Sequence, residues 1–150
     1  DLEALAAERA ATFASDTDLE VIGQVLSKME AAHSKRNAEE EAQLDAQFHM
    51  AIIEASHNVV MLHMMRSMYE LLRGGVFYNR QIMFKQRTSR VALLDQHRAI
   101  NTALQHRDPI AARQAVVSHL DFVERSLIDR QKAQHNEVVA RQRLQHELDT

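Results

Sequence analysis

Helix breakers are almost absent from this chain: proline occurs once, at Pro109, and glycine three times in 150 residues. In a helix interior these residues cost roughly 3 and 1 kcal/mol relative to alanine, so their scarcity leaves long segments free to stay helical. Ala, Leu, Glu, Gln, Arg and Met dominate the remainder, and no segment alternates apolar and polar residues as a half-buried strand does. The fold class is therefore all-α. Apolar spacing marks six helices, over about 1–14, 18–34, 39–56, 58–81, 84–106 and 109–132.

Local signals set the boundaries. Asp16-Thr17-Asp18 offers an N-cap for the second helix, and Asn37 with Glu39 to Glu41 opens the third with acidic residues that suit the helix dipole. Asp108-Pro109 places a capping carboxylate before proline at the first helical position. Gly74-Gly75 falls inside the fourth pattern and predicts a kink or break there. The polar tail from Gln131 to Thr150 either extends the last helix or frays.

A chain this long fits one domain, residues 1–150, able to bury roughly 68 to 70% of its unfolded surface. It has no cysteine, which excludes disulfides, thiolate zinc sites and cysteine nucleophiles and is compatible with a cytoplasmic location. A net charge of −3 and a pI near 6.3 supply no basic field for a phosphate backbone, so direct DNA binding by this segment is not expected. No apolar run approaches a membrane span, the acidic start is unlike a signal peptide, and the helical pattern begins uncapped, as if a preceding segment had been removed.

The third helix carries Asp45 and His49 four residues apart, on one face, beside Leu44, Phe48, Ile52 and Ile53. His97 lies among Val91, Leu93, Leu94, Ile100 and Leu104, and His119 among Val116, Val117, Leu120 and Val123. Taken singly, the Asp-His pair also reads as a local ion pair and each histidine as a hydrogen-bonded core residue. Together, one carboxylate and three imidazoles form an oxygen-and-nitrogen set suited to zinc, nickel or manganese.

The string Asp45-x-x-Phe48-His49, then Glu54-Ala55-Ser56-His57-Asn58, Gln96-His97-x-x-Ile100-x-x-Ala103-Leu104 and Asp108-x-x-x-Ala112 to His119, resembles the FCD domain of FadR-type GntR transcription regulators over nearly the whole chain. The resemblance implies a six-helix antiparallel bundle, dimeric in the full regulator, with Asp45, His49, His97 and His119 as ligands of a divalent metal, zinc foremost. It also implies a DNA-binding winged helix-turn-helix head upstream. Gln96 departs from the family's usual glutamate before the third ligand, and an arginine common in the family's first helix would precede Asp1.

Within the family, Glu54 to Leu62 and Gln96 to Leu120 look closest to L-lactate-responsive repressors, with glycolate- and pyruvate-responsive relatives sharing much of the text. A 2-hydroxy acid chelates through a carboxylate oxygen and its hydroxyl, which suits an ion with two free positions. Arg66, Arg73 and Arg80, every seven residues on the fourth helix, with Tyr69, Asn79 and Asn101, are candidate effector contacts. Met61, Met64, Met65, Met68 and Leu72 on that helix read as core. The alternative is a metalloenzyme using the same four residues, but no general acid, base or nucleophile accompanies them, so a sensor rather than an enzyme is expected.

Overall fold

The structure is a computed structural model that describes residues 2–149, without the side chain of Arg73. The described residues form six helices and no strand: α1 (Leu2–Phe13), α2 (Asp16–Ser34), α3 (Ala38–Ala55), α4 (Val59–Lys85), α5 (Arg87–Gln105) and α6 (Pro109–Leu148). None of them is long and apolar enough to cross a membrane. The chain divides into two compact units, one running to His119 and one beginning at Leu120.

Three of the connections share one device. Lys35, Ser56 and His106 cap the C-termini of α2, α3 and α5, and each is followed by a residue in the left-handed region: Arg36 (φ 55°), His57 (φ 51°) and Arg107 (φ 51°). The next residue, Asn37, Asn58 or Asp108, caps the following helix: its side-chain oxygen accepts from the backbone N–H of Glu40, Met61 or Ala111. One left-handed residue thus closes a helix and turns the chain into the next within three positions. Glycine usually fills that slot, and nothing in the sequence marked these three.

The cap of α2 is Ser15, one residue before the expected aspartates. Ser15 Oγ accepts from Asp18 N–H at 3.0 Å and Asp18 Oδ2 accepts from Ser15 N–H at 2.8 Å, a reciprocal capping box with Asp18 as its acid. The break allowed for at Gly74-Gly75 does not occur, because α4 continues through both glycines to Lys85. The tail resolves as helix to Leu148.

In the first unit α3 packs against α1, α2 and α4, while α5 packs against α1, α2 and α4. Phe48, Ile22, Met29, Ile53, Leu93, Ile100 and Leu104 are its largest fully buried apolar side chains. The face that α1 buries is made of alanines, Ala4, Ala6, Ala7, Ala10 and Ala11. Of the five α4 residues read as core, Met61 and Met65 join it, as do Met83 and Phe84 near the end of the helix; Met64, Met68 and Leu72 are exposed, correcting the expectation that all five pack inside. Met68 and Leu72 continue the stripe of Met61 and Met65 further along the helix, where, like Leu71 and Val76, they are exposed. The second unit is helical and largely exposed, with local ties such as Glu137 Oε1 accepting from Arg141 Nε at 2.8 Å.

Candidate metal centre and adjoining cavity

Helices α3, α5 and α6 bring Asp45, His49, His97 and His119 together, so that one ligand atom from each lies within 4.8 Å of all the others, and all four residues are buried. Asp45 Oδ1 is 2.9 Å from His97 Nε2 and 3.4 Å from His49 Nε2. His49 Nε2 is in turn 3.4 Å from His97 Nε2 and 3.2 Å from His119 Nε2. The rings pack closely, with the centroids of stacked His49 and His119 5.1 Å apart and those of Phe48 and His97, in an edge-to-face arrangement, also 5.1 Å apart.

Outer contacts fix two of the rings. His119 Nδ1 faces Gln96 Oε1 at 2.7 Å, so the ring donates from Nδ1 and leaves Nε2 a lone-pair donor. His49 Nδ1 faces Glu3 Oε2 of α1 at 3.4 Å. Such acceptors behind imidazoles are the usual support of metal-binding histidines. The Nδ1 of His97 is buried with no hydrogen-bond partner. Asp45 is held from its far side, its Oδ2 accepting from Arg80 Nε at 2.9 Å.

The electrostatics follow from this wiring. Burial opposes charge on Asp45, but Arg80 and His49 outweigh it and hold the carboxyl well below its usual range. Burial also opposes charge on His49, yet Glu3 and Asp45 on either side pull its pKa up to about 10. Burial lowers His97, and burial with neighbouring His49 and His97 takes His119 well below the ordinary histidine value. Two imidazoles are therefore neutral and ready to donate lone pairs.

The residues fit a divalent ion. Asp45 Oδ1 is buried with no hydrogen-bond partner although three imidazole Nε2 atoms crowd its surroundings. Protons cannot satisfy four mutually facing lone-pair atoms at once, whereas one cation can. Three nitrogens and one carboxylate oxygen suit zinc, nickel or manganese.

Beside this cluster a cavity of about 650 Å³ opens between α3 and α4. Asp45 and Arg80 form part of its wall, with Tyr69, Gln43, Gln47 and Phe77. Burial, then the carboxylates of Glu3 and Asp45, push the Tyr69 phenol above its usual value, leaving it a neutral donor. The remaining candidate contacts are placed differently. Arg66 is exposed and pairs with Glu54 at 3.2 Å; Asn101 Oδ1 accepts from Gln105 Nε2, which also donates to Leu19 O of α2. Neither lines the cavity. Asn79 is partly buried, its Oδ1 without a partner, and is not in the cavity wall either. The side chain of Arg73 lies outside the described residues. Sequence reasoning missed the roles of Glu3 and Gln96: Glu3 looks like an ordinary acidic residue in a first helical turn, and Gln96 stood out only as a departure from the family pattern.

An all-helical bundle with a buried carboxylate-and-imidazole cluster opening on a cavity is the architecture of a ligand-binding domain. Residues 1–122 match the FCD domain model, and the chain belongs to that family. It is 38% identical over 96 residues to the "Putative L-lactate dehydrogenase operon regulatory protein" of Escherichia coli K12, covering 63% of this chain and 37% of that protein. It is 35% identical over 132 residues to the "Glc operon transcriptional activator" of the same strain, covering 85% and 52%. To the "HTH-type transcriptional regulator LutR" of Bacillus subtilis it is 32% identical over 124 residues, covering 82% and 56%. The chain thus spans about half or less of the length of these relatives, all named as regulators and none as an enzyme. Among solved structures, E. coli McbR/YncC shares the fold with a TM-score of 0.74 at 18% identity, over 86% of this chain and 63% of that one.

Proposed function

We propose that this chain is the effector-sensing domain of a GntR-type transcription regulator, in which Asp45, His49, His97 and His119 hold a divalent metal, zinc foremost, and the adjoining cavity takes a small 2-hydroxy-carboxylate. L-lactate is the favoured effector, with glycolate and pyruvate as the competing choices. The observation that carries this reading is the convergence of four buried ligand atoms next to a cavity whose wall includes one of the ligands, Asp45. When bound, the ion supplies Lewis-acid coordination of a carboxylate and hydroxyl oxygen. Arg80 and Tyr69 supply a guanidinium and a phenol hydroxyl on the same wall for the rest of the acid.

In the whole protein, a DNA-binding head joined to this domain would read the resulting shift between two arrangements. The regulator would work as a homodimer in the cytoplasm, and the exposed Met64, Met68, Leu71 and Leu72 of α4 give such a dimer an apolar face.

The test is metal analysis followed by thermal melts of metal-loaded and chelator-stripped protein with L-lactate, D-lactate, glycolate, pyruvate and neutral lactamide. An acid at 100 times its dissociation constant adds about 2.7 kcal/mol. A rise with a hydroxy acid that requires metal and is absent with lactamide is expected. Protein that takes up no metal, or that responds equally after stripping, refutes the reading.

A further inference from the structure

Glu3 stands in the first turn of α1, outside the four-residue cluster, yet its Oε2 lies 3.4 Å from His49 Nδ1. Its side chain is mostly buried, and Oε2 has no hydrogen-bond partner, its contact with His49 Nδ1 being at ion-pair distance. A carboxylate buried in this way needs a partner, and among the described residues the cation-capable group it meets at ion-pair distance is the His49 ring. Glu3 belongs to a helix that contributes no member of the cluster and whose buried face is alanine throughout. Alanines bury little apolar area each and Leu2 adds a partly buried side chain to the core, so polar ties add to what holds α1 on the bundle. Besides Glu3 these are the exposed pair of Glu8 with Arg113 at 2.7 Å and the bond that Arg107 donates to Ala14 O just past the end of α1, at 2.8 Å.

We propose that Glu3 is the positioning residue for His49 and that through it the docking of α1 and the occupancy of the metal site are coupled. This rests on the metal-site reading above. An imidazole that gives Nε2 to a metal carries its proton on Nδ1, and the group accepting that proton's hydrogen bond sets the ring's orientation and raises its basicity. Here that acceptor is supplied by α1. Because coupling between two equilibria is reciprocal, whatever factor docked α1 adds to metal affinity, bound metal must add to the docking of α1. The helix at the start of the domain would then sense whether the site is filled, without touching the ion.

The experiment compares wild type, Glu3→Gln and the control Glu8→Gln, which removes only the exposed pair with Arg113. Zinc affinity is measured by chelator competition, and amide hydrogen exchange of α1 is followed with and without zinc. Loss of such an outer partner lowers metal affinity roughly 10- to 100-fold, so Glu3→Gln should fall by that factor and Glu8→Gln should not. In wild type, zinc should slow exchange of the α1 amides by a similar factor, and in Glu3→Gln that slowing should be lost. The visible spectrum of the cobalt-loaded protein, which reports ligand-field geometry, should change in Glu3→Gln alone. Equal zinc affinity in wild type and Glu3→Gln, or zinc-induced slowing that survives the substitution, overturns the proposal while leaving the metal site intact. Failure of wild type to bind zinc overturns the site itself, and this inference with it.

Discussion

Replacing Arg80 with methionine separates the two tasks that the structure gives this residue. Its Nε is 2.9 Å from Asp45 Oδ2, with both side chains buried. Removing one partner of a buried pair costs about 3–5 kcal/mol, because the other charge is left in a medium that solvates it poorly. For a domain of this size 1 kcal/mol moves the midpoint by roughly 2–4 °C, so metal-free Arg80→Met should melt roughly 6–20 °C below wild type. His49 remains 3.4 Å from the other oxygen of Asp45, which favours the smaller end of that range. A divalent ion on Asp45 replaces the missing positive charge and no longer competes with a guanidinium. The deficit should therefore shrink on zinc loading and zinc affinity should rise, while effector-induced stabilisation is weakened by loss of the cavity's guanidinium. Paired melts of both proteins, stripped and zinc-loaded, measure this directly. An equal deficit in the two states would show that Arg80 acts by packing alone, and the electrostatic argument would fail.

Away from the metal cluster, burial raises Glu41 to about 7 despite Arg90, whose Nη1 is 3.8 Å from its Oε1. The folded state therefore keeps a proton that the unfolded chain releases near 4.5, and this contribution to stability is lost as pH rises from 4.5 through 7. Glu41→Gln should match wild type near pH 4 and exceed it at pH 8 by about 3 kcal/mol; a loss at pH 8 in urea melts would mean that Arg90 and His33 stabilise the ionised form. Burial lowers the neighbouring His33, whose Nδ1 is 3.5 Å from Glu41 Oε2, so its contribution is lost as pH falls below the ordinary histidine value, and the comparison is read at pH 8, above that range. Exposed Arg36 holds a left-handed conformation and makes no side-chain hydrogen bond to the described residues, and Arg36→Gly should stabilise by about 0.5–1 kcal/mol. Arg107→Gly relieves the same strain but deletes bonds to Ala14 O and Asp16, so it should destabilise; stabilisation by both would show that these bonds contribute nothing.

The all-helical class was legible because almost nothing in the chain opposes helix, and the start of α6 because Asp108-Pro109 combines two independent signals. The left-handed closures at Arg36, His57 and Arg107 were not, since the residues there carry no glycine signature and their conformation is set by the caps on either side. The same divide runs through the site. Asp45 and His49 share a helical face by spacing alone, and His97 and His119 stand out as imidazoles in apolar stripes, though only the family resemblance joined all four. Heptad spacing could not choose among Arg66, Arg73 and Arg80: Arg66 and Arg80 share a face but stand about 21 Å apart along the axis, and only the packing of α4 on α3 brings Arg80 level with Asp45. Glu3 was invisible for the same reason, as its contact with His49 is made between helices.

The arrangement of charge favours the ligand class proposed for the cavity. Without an ion, the carboxylates of Glu3 and Asp45 are balanced by Arg80 and a protonated His49, so the buried group is neutral as a whole. A divalent ion held there would take the place of the proton on His49, and its two charges with that of Arg80 would exceed the two carboxylates by one. A single uncompensated positive charge beside a cavity in poorly solvating surroundings is costly. A monocarboxylate removes it, whereas a neutral molecule leaves it and a dianion overshoots. With the proposed ion in place, charge would discriminate before shape does, and coordination through the 2-hydroxyl would then separate a hydroxy acid from other monocarboxylates of similar size.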